Sequence, residues 1–464
     1  MGLMQNHNTI TGTAKSHVTS DFVKILHQSI TNGKRMASES MKKWASRDNT
    51  SHVPEFHSCL LLNISSCNYS SDSKTFIVTV YNPTAQLLTT FVRIPVQNFF
   101  HSVSDFAGND MVTQMVPIPK QVKTIPGRVS SATMELVFLA ENISPLGFQS
   151  FHVKRKNPIA KEPSNGPHPS INSLNVQTEF YHLSVDTQGR VHVYYTKGAR
   201  DLHIKQYYNY YEGFEGSNAV AYQQSSGTHI FRPKQENSRE VEKNITYQIY
   251  KGDLVEEIHL AINDWISQVI RMYDSKDIIE FDWLIGPIPV NDNVGKEIVS
   301  IFASNIQNNG KFYTDSNGRE MIKRKLYKRP HYKLSLVEKV AGNYYPVTTK
   351  ISIEDKRQML RMSVMNDRSQ GGSSLMPGKI ELMVVVLIVQ RRLLSDDGVG
   401  LDEPLNETAF GTGVVIKGKH TLVVGSLAEK DELVLREKVE FTSQPWIFFT
   451  PTSRTFHEWS QWFE

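Results

Sequence analysis

The feature that most constrains the fold is a long tract of alternating apolar and polar residues, which extends from Glu179 to Leu394. Runs such as EFYHLSVD, RVHVYYT and QMLRMSVMND place apolar residues at every second position, as strands with one buried face require. No helical pattern interrupts the tract. It therefore predicts a large antiparallel sandwich and not a parallel sheet with crossover helices.

A second β region precedes this tract, between Phe56 and Val153. Its alternating runs are separated by Asn, Pro and Gly, which is typical of a small antiparallel sandwich; they are TFIVTVYNP (75–83), TTFVRIPV (89–96), ATMELVFLA (132–140) and FQSFHV (148–153). The following stretch KRKNPIAKEPSNGPHPSINS has four prolines and no apolar period, so it predicts a linker.

Residues 14–46 have a helical pattern instead. Apolar residues recur every four positions at Val18, Phe22, Leu26 and Ile30, and strong helix formers resume after a break at Asn32 and Gly33. This pattern predicts a helical hairpin that packs on a larger body.

Charge and composition exclude several classes of protein. The chain has 51 Lys and Arg against 47 Asp and Glu, a net charge of +4 that does not indicate a nucleic-acid binder. A local exception is the basic stretch KRKLYKRPHYK at 323–333, which is either a solvated face or a contact for phosphates or acidic lipid. The longest apolar run, Val384 to Val389, is too short for a membrane span.

Two observations bear on the cellular compartment. Cys59 and Cys67 are the only cysteines, and their spacing fits either a local disulfide or two reduced, buried thiols. Six asparagines head glycosylation sequons: Asn49, Asn63, Asn68, Asn142, Asn244 and Asn406.

The segment MGLMQNHNTITG has no signal-peptide pattern, so we expect the start of the complete polypeptide to lie upstream of Met1.

Common catalytic signatures are not present in the sequence. It contains no HExxH, G-x-S-x-G, Walker or dinucleotide-binding motif. His7 differs from the other histidines because it stands just before TITGT, at the entry to the helical stretch, where an imidazole could face a cleft.

Several segments together resemble the α-mannosidases of glycoside hydrolase family 38, of the lysosomal type. The N-terminal QNHNTITGT is similar to the family segment Gln-His-His-Asp-Ala-(Val/Ile)-(Ser/Thr)-Gly-Thr, and CLLLNISSC, GTHIFRP and DWLIGPIPVNDNVGKE follow in the family's order. The most specific segments are GKFYTDSNGRE (310–320), VAGNYYPV (340–347), NDRSQGGSSL (366–375) and RRLLSDDGVGLDEPLNE (391–407). In this comparison Asn6 replaces a histidine and Asn8 replaces an aspartate.

The resemblance implies a mainly β fold. It consists of a helical hairpin left from a helical bundle, a small β-sandwich and a large galactose-mutarotase-like β super-sandwich. The implied domains are the end of the catalytic and helical-bundle region at 1–47, the small sandwich at 48–156, a linker at 157–173, the large sandwich at 174–434 and the start of a terminal β region at 435–464.

The resemblance also implies a reaction and the residues that take part in it. Family members are retaining, zinc-dependent enzymes that hydrolyse terminal α-mannose from glycoprotein N-glycans in lysosomes or outside the cell. His7 takes the position of a zinc-binding histidine, Asn8 that of a sugar-contacting aspartate, and either Tyr344 or Tyr345 that of a tyrosine that reaches the sugar. Asp315, Arg319, Asp367 and Arg368 lie in motif-like loops, where we expect structural salt bridges.

One zinc ligand is fewer than a catalytic site needs, so we expect this chain to be inactive without the N-terminal catalytic domain of the same enzyme. The alternatives are a non-catalytic carbohydrate-binding paralogue of the secretory pathway, or a surface-binding protein that uses 323–333. The run ELMVVVLIVQRRLL departs from the family pattern by extra apolar residues at 384–390, which indicates either a gene-model artefact or a variant loop.

Overall fold

The structure is a computed structural model, and it describes residues 2–10, 12–45, 55–158, 176–196, 202–316, 318–384, 391–409, 412–427 and 445–452. The chain divides into two compact units. Unit 1 consists of Met1–Phe22, Gly166–Ile249 and Glu256–Leu435, and unit 2 consists of Val23–Asn165, Tyr250–Val255 and Arg436–Glu464. Among the helices of the described ranges, none combines the length and the apolar character that a membrane crossing needs.

The helical content is small. The described α-helices are α1 (His7–Ile10), α2 (Ser16–Ala45), α3 (Asn68–Ser71) and α4 (Lys120–Lys123), and short 3-10 turns occupy Gly2–Gln5, Leu62–Ile64, Ala221–Gln223 and Ala341–Asn343.

The predicted helical hairpin is wrong, because α2 is one continuous helix of 30 residues that passes through Asn32 and Gly33. Gly33 is exposed, and a glycine in a helix costs only about 1 kcal/mol relative to alanine. The helix formers on both sides, supported by an Arg35–Glu39 ion pair at 2.8 Å, outweigh this cost.

Unit 2 contains two antiparallel sheets. Their strands are β1 (His57–Ser58), β2 (Thr75–Tyr81), β3 (Leu88–Val96), β4 (Phe99–Ser104), β5 (Thr113–Pro117), β6 (Met134–Ile143), β7 (Phe148–Pro158) and β29 (Trp446–Pro451). The five-stranded sheet has the order β1-β29-β2-β7-β4, and the three-stranded sheet has the order β3-β6-β5. Both sheets bury their apolar faces in one core, for example through Phe76, Phe138 and Phe449, which makes this unit a small sandwich.

Strand β29 comes from the region that the sequence assigned to a separate terminal domain. It lies between β1 and β2, with Phe449 opposite both His57 and Val78. The described part of this region therefore completes a sheet of unit 2. The pairing joins residues more than 350 positions apart, and a single sequence contains no local signal for it.

Unit 1 is built mainly from two large sheets. The ten-stranded sheet consists of β8 (Val176–Gln177), β9 (Tyr181–Val185), β10 (Val191–Tyr195), β11 (Leu202–Glu212), β12 (Arg239–Glu240), β17 (Lys296–Ser304), β20 (Tyr345–Val347), β23 (Gln370–Ser373), β24 (Lys379–Met383) and β25 (Arg391–Arg392). The nine-stranded sheet consists of β13 (Thr246–Tyr250), β14 (Val255–Ala261), β15 (Ile266–Tyr273), β16 (Ile279–Ile285), β18 (Lys311–Ser316), β19 (Glu320–Lys325), β21 (Lys350–Asp355), β22 (Leu360–Asn366) and β28 (Ile416–Ser426). A short hairpin adds β26 (Thr408–Ala409) and β27 (Thr412–Gly413).

The two large sheets share one apolar core. Side chains from both, including Phe281, Trp283, Phe302 and Phe312, are fully buried in a single cluster. The long ladder between β11 and β17 runs from Ile204 opposite Ser304 to Glu212 opposite Lys296. The prediction of a mainly β fold with a large antiparallel sandwich is confirmed.

Three expectations concern residues outside the described ranges. They are the linker from residue 159 onward, the apolar insertion from residue 385 onward and the sequon at Asn49. The first residues of the predicted linker stretch, up to Pro158, are not a linker, because they continue β7 and pair with β4. Val384, the last described residue before the insertion, is fully buried in the core of unit 1.

A disulfide joins Cys59 and Cys67, with Cα atoms 5.5 Å apart, so the first of the two cysteine readings is confirmed. The bond closes a short loop that contains the 3-10 turn Leu62–Ile64 and Ser65, whose φ is 52°. Cys67 is buried in the core of unit 2, and Cys59 packs against that core. The disulfide therefore fixes a loop to the small sandwich.

We expect the double substitution Cys59→Ser with Cys67→Ser to lower the free energy of unfolding of unit 2 by roughly 2–3 kcal/mol, because the unfolded chain gains loop entropy. Urea titration without reductant measures the change. Dithiothreitol should shift the wild-type midpoint to that of the variant and leave the variant unchanged. Equal midpoints for both proteins without reductant would contradict a stabilising bond.

Candidate functional site

Two of the motif-like segments meet at one edge of the ten-stranded sheet. Strand β20 pairs with β23 in a register that sets Tyr345 opposite Gly372, and the hydroxyl of Ser373 donates to the carbonyl of Asn343 at 2.8 Å. A Cβ atom on Gly372 would lie 2.7 Å from a methyl group of Val347, so a larger residue does not fit without a shift. The structure therefore brings VAGNYYPV and NDRSQGGSSL together.

Tyr344 lies against a buried carboxyl group. Its hydroxyl donates to Glu381 Oε1, and the hydroxyl of Tyr211 donates to the same oxygen at 2.9 Å. Phe231 meets the ring of Tyr344 edge-on, with ring centroids 5.1 Å apart. These residues form a cluster separate from the sandwich core, because alternate side chains of a strand point to opposite faces of the sheet.

Burial shifts the pKa values of Glu381, Tyr344 and Tyr211. It raises the pKa of Glu381, although both phenol donors act to lower it. Burial, followed by the charge of Glu381, also raises the pKa of Tyr344 and of Tyr211. Both phenols therefore remain protonated donors at physiological pH, and the hydroxyl of Tyr344 is held by Glu381.

Tyr345 has different surroundings. Its ring packs against the sandwich core and meets Phe312 edge-on at 5.7 Å. The guanidinium groups of Arg324 and Arg329 lie 4.3 and 4.8 Å from the ring centroid. Burial raises the pKa of Tyr345, which the two arginines oppose. The side chain is partly exposed, and its hydroxyl makes no hydrogen bond with the part of the chain that the structure describes.

The N-terminal segment makes mainly local contacts. His7 and Asn8 are exposed on the single turn α1, where the N–H of Asn8 donates to Asn6 Oδ1 at 2.9 Å and Thr13 Oγ1 donates to Asn8 Oδ1 at 3.2 Å. The start of α2 reaches the 391–407 segment, since the N–H of Ser16 donates to Glu403 at 2.8 Å. The hydrogen bonds and ring contacts of Tyr344 and Tyr345 described above are with residues outside α1.

Metal binding by this segment needs more ligands than His7. Within the described ranges, no group of three or more His, Cys, Asp or Glu side chains has an arrangement that could hold a metal ion. A catalytic zinc uses at least three protein ligands. The donor set around His7 therefore does not fit a zinc site by itself.

Asp397, in the 391–407 segment, ties this segment to GTHIFRP at 227–233. Its side chain is fully buried and accepts hydrogen bonds from the N–H groups of His229, Ile230 and Val399. Burial acts to raise the pKa of Asp397, but these donors outweigh it and lower the pKa. A Cβ atom on Gly227 would lie 2.6 Å from that of Asp397, so the loop needs glycine there. The carboxylate of Asp397 therefore fixes the conformation of the loop at 227–230.

A buried ion pair adds a second link. Arg391 donates to Glu297 at 2.9 Å and to the carbonyl of Ile230 at 2.9 Å, while Ser226 Oγ donates to Glu297 at 2.6 Å. Both charged side chains are almost completely buried. A buried pair with additional hydrogen bonds holds geometry, and removal of one partner would leave an uncompensated charge.

The four charged residues predicted to form structural salt bridges divide into three cases. Asp367 and Arg368 form an ion pair at 2.8 Å. Asp315 has no such pair within the described ranges, and it accepts hydrogen bonds from the N–H groups of Thr348, Thr349 and Lys350 instead, because it lies beside the turn before β21. Arg319 is exposed and has no carboxylate partner among the described side chains.

The sequon asparagines are mostly accessible. Asn63, Asn68, Asn142 and Asn244 are exposed. Asn406 is partly buried, and its Oδ1 accepts a hydrogen bond from Arg392 Nε at 2.7 Å.

Sequence reasoning did not identify Glu381, Tyr211, Arg324 or Arg329 as parts of the site. A signal existed for Glu381, because a lone carboxylate in the apolar run KIELMVVV has to find hydrogen-bond donors once it is buried. No comparable signal existed for the others, whose contacts with Tyr344 and Tyr345 depend on the fold.

Comparison with known proteins identifies the large sandwich. Residues 176–398 match the family model "Glycosyl hydrolases family 38 C-terminal domain". The chain is 35% identical over 430 residues to the lysosomal α-mannosidase of Homo sapiens, and the alignment covers 91% of this chain and 40% of that protein. It is 34% identical over 447 residues to a probable α-mannosidase of Arabidopsis thaliana, with 90% and 43% covered.

The chain thus spans less than half the length of these curated relatives. A solved structure, an α-mannosidase from Enterococcus faecalis V583, superposes with a TM-score of 0.49 at 12% identity and covers 81% of this chain and 46% of that one.

The large sandwich and its matched segments define a C-terminal β domain of a glycoside hydrolase. More specifically, the chain belongs to glycoside hydrolase family 38, the family of the α-mannosidases.

We expect two substitutions of Glu381 to differ in their effect on the free energy of unfolding, because Tyr344 and Tyr211 both donate to this residue. Glu381→Gln keeps a carbonyl oxygen for the two phenol donors and should change the free energy of unfolding by less than about 1 kcal/mol. Glu381→Ala leaves both hydroxyls without an acceptor and opens a cavity, so we expect a loss of roughly 2–5 kcal/mol. Equal losses in urea titrations of the two variants would show that the hydrogen bonds contribute nothing.

We expect the stability of unit 1 to depend on pH through His420. It is fully buried, with Nε2 2.9 Å from Gln370 Oε1, and burial lowers its pKa from 6.5 to about 4. At a pH between about 4 and 6.5, His420 binds more protons in the unfolded chain than in the folded one. Stability should therefore fall as the pH drops from about 6.5 to about 4, by up to roughly 3 kcal/mol from this residue.

We expect His420→Gln to reduce this slope when urea midpoints of unit 1 are measured across the same pH range. His101, whose pKa burial also lowers to about 4, lies in unit 2 and remains in the variant as an internal reference. An unchanged slope for unit 1 would contradict the assignment to His420.

Proposed function

We propose that the protein acts as the C-terminal β part of a retaining, zinc-dependent α-mannosidase that removes terminal α-mannose from glycoprotein N-glycans. The observation that carries this proposal is the family 38 match over residues 176–398, together with 35% identity to the human lysosomal α-mannosidase across 91% of the chain. The role of this chain is to hold loops of the large sandwich at the sugar-binding site.

Tyr345 is the residue that we assign to the sugar. The hydroxyl of Tyr344 is already held by Glu381, on the face of the sheet that points away from the core. Tyr345 is partly exposed and its hydroxyl has no partner among the described residues, so it is available to donate to a sugar hydroxyl. Its ring is held by Phe312 and by the two arginines, which fix its orientation before a ligand binds.

For the metal, we propose that His7 supplies one imidazole and that Asn8 supplies an amide to a sugar hydroxyl. Zinc, when bound, would hold two hydroxyls of the mannose. The remaining ligands come from protein groups other than the described residues, which contain no suitable cluster. We therefore expect the isolated chain to be inactive.

A lysosomal or secreted location fits the same proposal. The Cys59–Cys67 disulfide favours an oxidising compartment, and four sequon asparagines are exposed for glycan attachment. The curated relatives of the chain include a lysosomal α-mannosidase.

Asn8 favours a second candidate, a non-catalytic carbohydrate-binding protein of the secretory pathway. An amide can donate to and accept from a sugar hydroxyl, but it has no charge to stabilise a cationic transition state. In this alternative the sandwich and Tyr345 would still bind mannose.

The test is a chimera in which this chain replaces the corresponding C-terminal region of the human relative. We expect the chimera to hydrolyse an aryl α-mannoside in a zinc-dependent reaction, and the 464-residue chain alone to show no turnover. Tyr345→Phe in the chimera should lower kcat/KM by about tenfold or more, because a hydrogen bond to the sugar is lost. Tyr344→Phe, the matched control, should have a much smaller effect.

Two results would count against the proposal. Zinc-dependent turnover by the isolated chain would show that it contains a complete active site. A folded chimera that binds mannose without hydrolysis, and that regains hydrolysis on Asn8→Asp, would support the carbohydrate-binding alternative.

A further inference from the structure

The lysines of the basic stretch 323–333 are not used by the proposed hydrolysis, and their charges remain open to solvent. Lys323, Lys325, Lys328 and Lys333 are all exposed, and none of them forms an ion pair with a described carboxylate. Cations nearby are paired: Arg232 contacts Glu338 at 2.8 Å, and Lys339 contacts Glu236 at 2.7 Å. The four lysines therefore form a local surface of unneutralised positive charge.

Protection of a sheet edge explains only part of this charge. Strand β19 is the last strand of the nine-stranded sheet, and lysines on such a strand prevent pairing with another chain. Lys323 and Lys325 lie on β19. Lys328 and Lys333 follow the end of that strand, so edge protection does not account for them.

The loop that follows β19 is anchored at its start, through Leu326, Tyr327 and Arg329. The N–H of Leu326 donates to the carbonyl of Gly310 at 3.0 Å, and the N–H of Tyr327 donates to Asn343 Oδ1 at 2.9 Å. Arg329 donates to the carbonyl of Gly342 at 2.6 Å. These anchors enclose Lys328 and limit the entropy that this part of the loop loses on binding.

Apolar side chains are exposed in the same loop. The exposed fraction is 54% for Tyr327, 62% for Tyr332 and 87% for Val337. Next to them lies a shallow depression of about 420 Å³, which is lined by Tyr327, Leu334, Leu336, Lys339 and Glu236. The loop thus combines unpaired cations with aromatic and aliphatic groups at the surface.

We propose that residues 323–337 form a docking surface for an anionic lipid membrane. Lysines near such a membrane are attracted by the acidic headgroups, and tyrosines are favoured at the boundary between headgroups and acyl chains. A dissolved polyanion, such as a sulfated polysaccharide, would use the lysines but would leave Val337 and Tyr332 in water. The exposed apolar groups therefore favour the membrane. Binding is peripheral, since the loop reaches only the interface.

The test is co-sedimentation of the purified 464-residue chain with phosphatidylcholine vesicles that contain or lack phosphatidylserine. We expect binding only to the vesicles with phosphatidylserine, and loss of that binding at about 0.5 M salt. Replacement of Lys323, Lys325, Lys328 and Lys333 by glutamine should weaken binding by about tenfold or more. Tyr332→Ser should weaken it by a smaller factor at unchanged net charge.

A matched control removes the same charge elsewhere. Replacement of the exposed Lys24, Lys43, Lys120 and Lys356 by glutamine should leave vesicle binding within about twofold of wild type. Equal effects of the two quadruple variants would overturn the proposal, because binding would then depend on net charge alone. Absence of binding, or binding to heparin with none to the acidic vesicles, would overturn it as well.

Discussion

The register between β20 and β23 determines how the candidate site is arranged. With Tyr345 opposite Gly372, Tyr344 points to Glu381 and Tyr345 points to the core side, beside Arg324 and Arg329. A shift of one residue would exchange the two tyrosines, because alternate side chains face opposite sides of a sheet. The close approach at Gly372, where a side chain would overlap Val347, and the bond from Ser373 to Asn343 both oppose such a shift.

Buried carboxylates hold the surrounding segments by two physical means. Asp397 and Asp315 accept hydrogen bonds from backbone N–H groups, which fixes loops without a cation. Glu297 depends on Arg391, and the pair is almost fully enclosed. These links join residues far apart in the sequence, so that segments of the family 38 pattern become neighbours in the folded chain. In these segments, the buried carboxylates of Asp397, Asp315 and Glu297 hold loops in position.

The sequence was sufficient for the elements whose signal is local. Period-two alternation predicted the strands of both sandwiches, and the spacing of Cys59 and Cys67 left the disulfide as one of two readings. The predicted helical hairpin was wrong because the helix formers on both sides of Gly33 outweigh the small cost of a glycine in a helix. The place of β29 in unit 2 and the partners of Tyr344 depend on contacts between distant residues, for which a single sequence contains no periodic signal.

The most direct measurement of the central claim is a crystal structure of the chimera of this chain with the N-terminal region of the human relative, bound to mannose. The account predicts that the hydroxyl of Tyr345 lies within about 3 Å of a sugar oxygen while Tyr344 stays bonded to Glu381. A sugar that bonds to Tyr344, with Glu381 released from it and Tyr345 still packed between its arginines, would contradict the assignment.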